Sequence, residues 1–300
     1  MHLSNLLSSL LLTSLASANP VPQPLDERAL EERQFTDGYP IPKNDFSCKP
    51  SAAHPNPVVL FHGLGATYYE DLNFLQQNLT DEGWCTFSIT YGAYPGFPYV
   101  GGLKHISESA AQLATFVKKV HAAYPSKKVD FVGHSEGAFQ TLYVPKFESG
   151  IKEIVGNIIA IAPPTHGTNF ANLYTLSYIG GNLTNGVIQT ILDTFGCDAC
   201  TDIVTNGPAI QKLNTGPVAQ QGPKYTVMAS KYDELVTPPG VSSFINEAGV
   251  RNLYIQDYCP KDPVGHIGEA YDLNVWALVR NTLSGSTAGP SVCTVGSPGK

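Results

Sequence analysis

The chain has 300 residues, of which 42% are hydrophobic and 14% charged, with 28 glycines and 23 prolines. This composition is typical of a loop-rich globular protein and argues against a coiled coil or a disordered chain. The formal net charge is -7 and no cluster of lysines and arginines forms a phosphate-binding face, so nucleic acid is not expected as a partner.

The N-terminal segment has the pattern of a segment that is removed rather than folded. An apolar run over residues 6–18 ends in the small residues "ASA", which is typical of a signal-peptidase site. The run is too short to span a bilayer, and a buried helix is the alternative. We expect a signal peptide over 1–18, a propeptide or linker over 19–33, and a secreted single domain over 34–300.

Secretion changes how the cysteines are interpreted. An even number of cysteines in an oxidising compartment predicts disulfides, although the sequence cannot choose among the pairings. The metal interpretation of "CDAC" lacks a second pair of ligands, so no metal is expected. The pairs that we favour are Cys48–Cys85, Cys197–Cys200 and Cys259–Cys293.

Two asparagines lie in glycosylation tripeptides. They are Asn78 and Asn182, each followed by Leu-Thr. In a secreted chain both are candidate glycosylation sites.

Short apolar runs alternate with helical spacing along the chain. The runs that predict strands buried on both faces are 57–63, 85–92, 128–135, 154–163, 224–233 and 251–258. Periodicity predicts helices over 73–84, 105–124 and 267–283, and a helix that begins at 136. This alternation indicates an α/β fold with a central, mostly parallel sheet and helices on both faces. The alternation breaks from about 165 to 223, which predicts a short cap insertion over the sheet.

The stretch "GHSEG" at residues 133–137 joins a predicted strand to a predicted helix. A nucleophile elbow is a strained turn of this kind, whose glycines let neighbouring backbone pass close and whose serine Oγ projects above the sheet. The following helix N-terminus points its amides at an anion formed there. This context predicts that Ser135 is a nucleophile rather than a small residue in a tight turn.

A neutral serine needs a base, and on this architecture the chain order is Ser, then Asp or Glu, then His. His266 follows the sixth predicted strand, whereas His166 comes too early to follow an acid carried by the fifth. Asp233 ends the fifth strand, with Glu234 as the alternative acid. We therefore favour His266 as the base and Asp233 as the residue that orients it.

A tetrahedral intermediate needs two hydrogen-bond donors. One is the backbone N–H of the residue after the nucleophile, Glu136. The other is expected from "HGLGA" (62–66), where the N–H of Leu64 can face the site. The side chain of Glu136 is expected to point away from the attacking oxygen, in the first turn of a helix.

Aromatic and apolar segments at 91–102 and 163–181 carry almost no charge. They predict the walls of an acyl pocket, with His62, His134 and His166 as further pocket residues. The alternative is that these segments are loops packed over the sheet. No cationic cluster is present to hold a charged acid, so an uncharged, apolar ester is favoured as substrate.

With these segments assembled, the chain resembles the α/β-hydrolase superfamily, and within it secreted fungal and actinobacterial lipases and esterases. The resemblance covers about 57–283 and rests on "VVLFHGLGA", "DFVGHSEGA", "KYDELVTP" and "DPVGHIG". It implies ester hydrolysis through an acyl-enzyme without a cofactor. The residues that it implies are the triad Ser135, Asp233 and His266 and the oxyanion amides of Leu64 and Glu136. Two departures are Glu136, where many lipases carry Met or Gln, and the lack of a long amphipathic lid.

The expected protein is thus a secreted serine hydrolase that cleaves carboxylic esters of apolar acyl chains, as a triacylglycerol lipase or carboxylesterase. The alternatives are a cutinase-like polyesterase, a thioesterase, a peptidase, or a catalytically silent binding protein that keeps the fold. The expected partners are a small-molecule or lipid ester and, transiently, a lipid–water interface. No transmembrane segment is expected.

Overall fold

The computed structural model describes residues 42–169 and 196–299. The predicted signal peptide, the predicted linker and Asn182 lie outside the described residues, and so does the middle of the predicted cap insertion. None of the described helices is long and apolar enough to cross a membrane.

The described part of the chain contains one parallel sheet of six strands in the order β2-β1-β3-β4-β5-β6. The strands are β1 (Val58–Phe61), β2 (Thr86–Ser88), β3 (Val129–His134), β4 (Val155–Ile161), β5 (Lys224–Ala229) and β6 (Val250–Tyr254). The helices are α1 (Asn73–Asp81), α2 (Ile106–Ala123), α3 (Glu136–Phe147), α4 (Asp198–Ile203), α5 (Pro208–Leu213) and α6 (Leu273–Leu283). The α/β fold with a parallel sheet is confirmed.

Two hydrophobic cores cover the two faces of this sheet. Phe131 of β3 faces the core formed with α2 and α3, and its neighbour Val132 faces the core formed with α1 and α6. Successive side chains of a strand point to opposite faces, so a strand covered on both sides needs apolar residues at every position. This is why the strands appear in the sequence as continuous apolar runs.

Three predicted elements are shorter in the structure than their sequence patterns. β5 ends at Ala229, and the N–H of Asp233 turns back to the carbonyl of Ser230 at 3.4 Å. α6 begins at Leu273 because the Asp272 side chain caps it, accepting from the backbone N–H groups of Asn274 and Val275. β2 covers three residues of a longer predicted strand.

The carboxyl ends of β3, β4 and β5 lie side by side, which gathers the loops that follow them. The N–H of Ser135, just after β3, donates to the carbonyl of Ile161 in β4 at 2.9 Å. Parts of the predicted cap that the structure describes include α4 and α5. A bridge between Thr168 and Val204 joins the loop after β4 to the end of α4.

Candidate active site

Ser135 lies at the turn between β3, which ends at His134, and α3, which begins at Glu136. Its φ is 57° and its ψ is -122°, a conformation that costs a non-glycine residue about 1–3 kcal/mol. A Cβ on Gly133 would lie 2.5 Å from the carbonyl oxygen of Gly137, so this turn can close only where these two residues have no side chain. The strained serine therefore occupies the geometry of a nucleophile elbow.

Three side chains from separate loops form a hydrogen-bonded row. Ser135 Oγ lies 2.8 Å from Nε2 of His266, and Nδ1 of that ring lies 2.8 Å from Oδ2 of Asp233. The carboxylate selects the tautomer, because Nδ1–H donates to it and Nε2 is left to accept the serine hydrogen. The backbone N–H groups of Leu235 and Val236 donate to the other oxygen of Asp233 at 2.8 Å each, which fixes the carboxylate.

The two alternative residues make different contacts. Glu234 accepts the backbone N–H of His266 at 3.0 Å and so contacts its main chain rather than its ring. His166 is exposed, and its Nε2 lies 2.9 Å from the carbonyl oxygen of Phe244. The geometry thus brings together the residues that the sequence analysis favours and leaves both alternatives outside the row.

The loop after β1 leaves one backbone amide available. The N–H of Gly63 donates to Asp71 at 2.6 Å, and the N–H of Gly65 donates to the carbonyl of Gly101 at 2.9 Å. Within the described residues the N–H of Leu64, between them, has no acceptor. Since a Cβ on Gly63 would lie 3.3 Å from the Cβ of Ser135, this loop runs directly beside the candidate nucleophile.

The second amide is that of Glu136, the first residue of α3. The first N–H groups of a helix have no intrahelical acceptor, and in the described part of the chain this one has no other. Two free donors therefore flank Ser135, one from the Leu64 loop and one from the start of α3. This is the arrangement that an oxyanion requires.

The side chain of Glu136 is fully buried. One carboxyl oxygen lies 2.7 Å from Tyr91 Oη and the other accepts from Gln140 Nε2 at 2.8 Å. Its hydrogen bonds therefore go away from Ser135, as the sequence analysis expects. Burial raises the pKa of Glu136 to about 8, and the hydrogen bonds that Tyr91 and Gln140 can donate to the ionised carboxylate act in the opposite direction. Proximity to a helix N-terminus alone does not predict that burial.

A cleft opens above the serine and encloses about 290 Å³ of non-atom space, part of it open to solvent. Its lining residues are Leu64, Ser135, Pro164, Thr168, Ile203, Leu235, Val236 and His266. Among the described residues that line it, His266 is the only one with an acidic or basic side chain. The hydroxyl of Thr168 donates to the carbonyl of Leu235 at 2.5 Å, so the remaining walls present apolar surface to a substrate.

None of the three histidines predicted to line the pocket is among the described residues that line this cleft. His62 is buried and stacked on Tyr91, with ring centroids 4.2 Å apart, and its Nδ1 lies 2.8 Å from the carbonyl oxygen of Gly63. Burial lowers the pKa of His62 to about 4, so the ring is neutral. His134 is also buried, and His166 bonds a loop carbonyl. Their ring nitrogens hold the fold together instead of facing substrate.

The predicted walls are found in part. Pro164 and Thr168 of segment 163–181 line the cleft, and residues 170–181 lie outside the described part. Segment 91–102 provides no lining residue among those described. Ile203 of α4 takes part instead, a residue that carried no signal beyond its position in the cap insertion.

Sequence analysis assigns no role to Asp71, which contacts two parts of the site. Its Oδ2 accepts from Gly63 and its Oδ1 lies 2.7 Å from Nδ1 of His134. The second contact joins residues 63 positions apart, and no motif signals it.

The structure contains three disulfides, Cys48–Cys85, Cys197–Cys200 and Cys259–Cys293, which are the pairs that the sequence analysis favours. The bonded "CDAC" cysteines have no thiolate to offer a metal, and no three His, Cys, Asp or Glu side chains in the described ranges form a metal-binding group. Asn78 lies in α1 and accepts from Arg280 at 2.7 Å; its glycosylation stays a prediction.

The last disulfide ties the C-terminal tail to the loop that carries His266. Beyond Cys293, the carbonyl of Ser297 accepts from the N–H of Gly265 and that of Pro298 from the N–H of Gly268, at 3.2 Å each. His266 is thus held from both sides, by Glu234 at its own amide and by the tail at Gly265 and Gly268.

Comparison with known families gives matching results. Residues 56–189 match a family model described as alpha/beta hydrolase fold. A triacylglycerol lipase of Pseudarthrobacter phenanthrenivorans is 28% identical over 56% of this chain and 52% of its own length. A triacylglycerol lipase of Burkholderia plantarii is 28% identical over 56% of this chain and 47% of its own length. The chain therefore spans about half the length of the curated relatives that it matches.

Among solved structures, lipase B of Aspergillus fumigatus is similar to this fold with a TM-score of 0.59. The superposition covers 84% of this chain and 60% of that chain, at 18% sequence identity. At this identity the similarity concerns the fold.

Proposed function

Because this chain belongs to the α/β-hydrolase superfamily, we propose that it hydrolyses carboxylic esters of apolar acyl chains through an acyl-enzyme on Ser135. The observation that carries the proposal is the row of two 2.8 Å contacts from Ser135 through His266 to Asp233, which starts at a strained turn and faces an apolar cleft. A serine held in this way is activated by its base at the moment of attack.

In the first half of the reaction, Nε2 of His266 takes the Ser135 proton as Oγ attacks the ester carbonyl carbon. The negative charge that develops on the carbonyl oxygen is stabilised by the N–H groups of Leu64 and Glu136. Asp233 stabilises the imidazolium without taking its proton. When the tetrahedral intermediate collapses, His266 gives the proton to the leaving alcohol oxygen, and the acyl group stays on Ser135.

In the second half, His266 removes a proton from water, which attacks the acyl carbon through the same oxyanion geometry. Collapse returns the proton to Ser135 Oγ and releases the carboxylic acid. Every proton passes through one ring nitrogen, so the contact of 2.8 Å between Nε2 and Oγ is the geometric requirement of both halves.

The cleft supports the choice of substrate class. The described lining residues include no lysine or arginine to pair with a charged acid, so burial of an alkyl chain is the main source of binding energy. The curated relatives are named triacylglycerol lipases, which supports extending the proposal to lipid esters. Three disulfides favour an oxidising compartment, in agreement with secretion.

The test is hydrolysis of p-nitrophenyl esters of increasing chain length and of emulsified triglyceride, by wild type and by Ser135→Ala. We expect activity in the wild type, with medium or long acyl chains preferred, and loss of turnover in the variant. Equal rates in both proteins would refute the assignment of Ser135. A preference for amides or thioesters would favour a peptidase or a thioesterase on the same fold.

A further inference from the structure

Asp71 and His134 form a second buried carboxyl–imidazole pair beside the one formed by Asp233 and His266. Oδ1 of Asp71 lies 2.7 Å from Nδ1 of His134, and the two side chains are 5% and 3% exposed. The rings of His134 and His266 have centroids 5.0 Å apart. Groups of this kind are costly to bury unless they are paired, so their place next to the reacting residues needs an explanation.

The pair contacts three of the four segments that form the candidate active site. Oδ2 of Asp71 accepts the N–H of Gly63, which precedes the oxyanion donor Leu64. Nε2 of His134 lies 2.9 Å from the backbone carbonyl oxygen of His266. His134 is itself the residue before the nucleophile. One carboxyl and one ring therefore join the oxyanion loop, the nucleophile and the base.

The partners fix where the hydrogens lie. A backbone carbonyl oxygen only accepts, so Nε2 of His134 must carry the hydrogen that is donated to His266. Nδ1 of His134 faces a carboxylate oxygen of Asp71, which also only accepts, so Nδ1 carries a hydrogen as well. Burial lowers the pKa of His134, but the charge of Asp71 and the hydrogen bonds to Asp71 and to the His266 carbonyl outweigh it and raise the pKa. The charge of Asp233 acts in the same direction.

The backbone of Asp71 is strained as well. Its φ is 92°, in the region that favours glycine, and its N–H donates to Tyr271 Oη at 3.0 Å. Such a conformation costs about 1–3 kcal/mol and persists where the surroundings over-determine it. The strained carboxyl is thus aimed at Gly63 and His134 by contacts outside the pair.

We propose that Asp71 and His134 are positioning residues that hold the oxyanion loop and the main chain of His266 in register with Ser135. The inference rests on the proposed esterase function for its consequence in catalysis. Neither residue lines the cleft, so the pair acts on the geometry of the reacting groups and not on substrate binding.

The first test compares Asp71→Ala with Asp71→Asn. Asparagine can accept from Gly63 with its oxygen and donate to a neutral His134 with its amide, which keeps the Nε2–H bond to His266. Alanine loses both contacts. We expect Asp71→Ala to lower kcat roughly 100-fold with an almost unchanged KM, and Asp71→Asn to stay within about tenfold of wild type.

Asp130→Ala is the matched control. Asp130 is a buried carboxyl in β3, at the end of the strand opposite to His134. It accepts hydrogen bonds from the backbone N–H of Asn157 and the side chain of Asn56. We expect this variant to lose stability but keep kcat. A fall in kcat as large in Asp130→Ala as in Asp71→Ala, or wild-type kcat in Asp71→Ala, would overturn the proposal.

NMR of the ¹⁵N-histidine-labelled protein near neutral pH tests the pair without an activity assay, also if Asp71→Ala fails to fold. We expect one buried ring with a hydrogen on both nitrogens in the wild type, and with a hydrogen only on Nε2 in Asp71→Asn. If no histidine signal differs between these two proteins, the pair does not exist as described. If the wild type shows this NMR signature but has no esterase activity, the proposed function is refuted, whereas the hydrogen-bonded pair of Asp71 and His134 is retained.

Discussion

The hydroxyl of Tyr91 lies between two acceptors, 2.7 Å from a carboxyl oxygen of Glu136 and 2.5 Å from the carbonyl oxygen of His62. A phenol carries a single hydrogen, so both contacts are hydrogen bonds only if Glu136 is protonated and donates to Tyr91. Burial, which raises the pKa of Glu136 to about 8, supports the same protonation state. Glu136 is thereby a neutral acid that ties the start of α3 to the loop of His62.

This protonation state predicts a dependence of activity on alkaline pH. As the pH rises through about 8, Glu136 ionises and its contact with Tyr91 loses a hydrogen, so kcat/KM of the wild type should fall. Two other titratable groups lie in this network. Burial is the main cause that raises the pKa of Tyr91 well above its ordinary value, and the charge of Asp71 raises the pKa of Tyr91 further. Glu136→Gln stays neutral and keeps a donor, so its kcat/KM should stay flat in this range. An identical alkaline limb in both proteins would contradict the assignment.

The same group affects stability. Glu136 has a pKa of about 8 in the folded protein against an ordinary value of 4.5, so between these two pH values the folded state binds one proton more than the unfolded state. Its contribution to the free energy of unfolding is full below the lower value and lost as the pH passes the higher one. In urea titrations, the free energy of unfolding of Glu136→Gln should rise relative to that of the wild type, by on the order of a few kcal/mol, as the pH increases across this window. A difference that does not vary with pH would show that the carboxyl is ionised throughout.

Two substitutions that replace a carboxylate by an uncharged amide test whether Asp233 is the acid that orients His266. Asp233→Asn removes the acceptor that selects the tautomer of His266, so kcat should fall by roughly 10⁴. Glu234→Gln changes a residue that bonds only the main chain of His266 and should stay within about tenfold of wild type. Steady-state rates of both variants, normalised to folded protein, make the comparison. The reverse order of effects would move the acid to Glu234.

The C-terminal tail is tested by adding single methyl groups. In Gly268→Ala the new Cβ would collide with the carbonyl oxygen of Ser297, so the tail must leave the loop of His266. We expect kcat to fall roughly tenfold and the melting temperature to drop by several degrees. Gly299→Ala is the control, since no atom lies within 4 Å of its added Cβ. Removal of residues 294–300 should reproduce the loss, and full activity after it would exclude a role for the tail.

The apolar cleft predicts how chain-length preference responds to a wall substitution. Ile203→Ala removes three side-chain carbons from the wall of the cleft, so at about 0.8 kcal/mol for each buried CH₂ the kcat/KM for p-nitrophenyl octanoate should fall by up to roughly 60-fold. The value for the acetate ester should change far less. Val241→Ala makes a similar deletion at a side chain that is 71% exposed and should change neither. Equal losses on both esters would indicate damage to the fold rather than to the cleft.

The fold and the candidate row could be predicted from the sequence because their signals are local. A strand buried on both faces must be apolar throughout, and an elbow needs glycine on each side of its serine, so β3 and Ser135 are visible in one short stretch. The order of the superfamily then leads to Asp233 and His266. Each of these residues stands at the end of a predicted strand or in the loop that follows one.

The remaining parts of the site depend on contacts between distant segments. Asp71 meets His134 across 63 positions and Tyr91 meets Glu136 across 45, and no periodicity or motif marks either pair. For the same reason the sequence predicts His62 and His134 as pocket residues, whereas the structure buries both. Histidine near a motif is typical of a site, but burial and bonded ring nitrogens are visible only in three dimensions.

The central claim is that Ser135 is the nucleophile and His266 its base. The most direct measurement is intact-mass and peptide mass spectrometry after reaction with a p-nitrophenyl alkylphosphonate, which forms a covalent bond to an activated serine. We expect one phosphonyl group per chain, on the peptide that contains Ser135, no adduct in Ser135→Ala, and much slower labelling in His266→Ala. An adduct on another residue, or labelling of Ser135→Ala at the wild-type rate, would contradict the account.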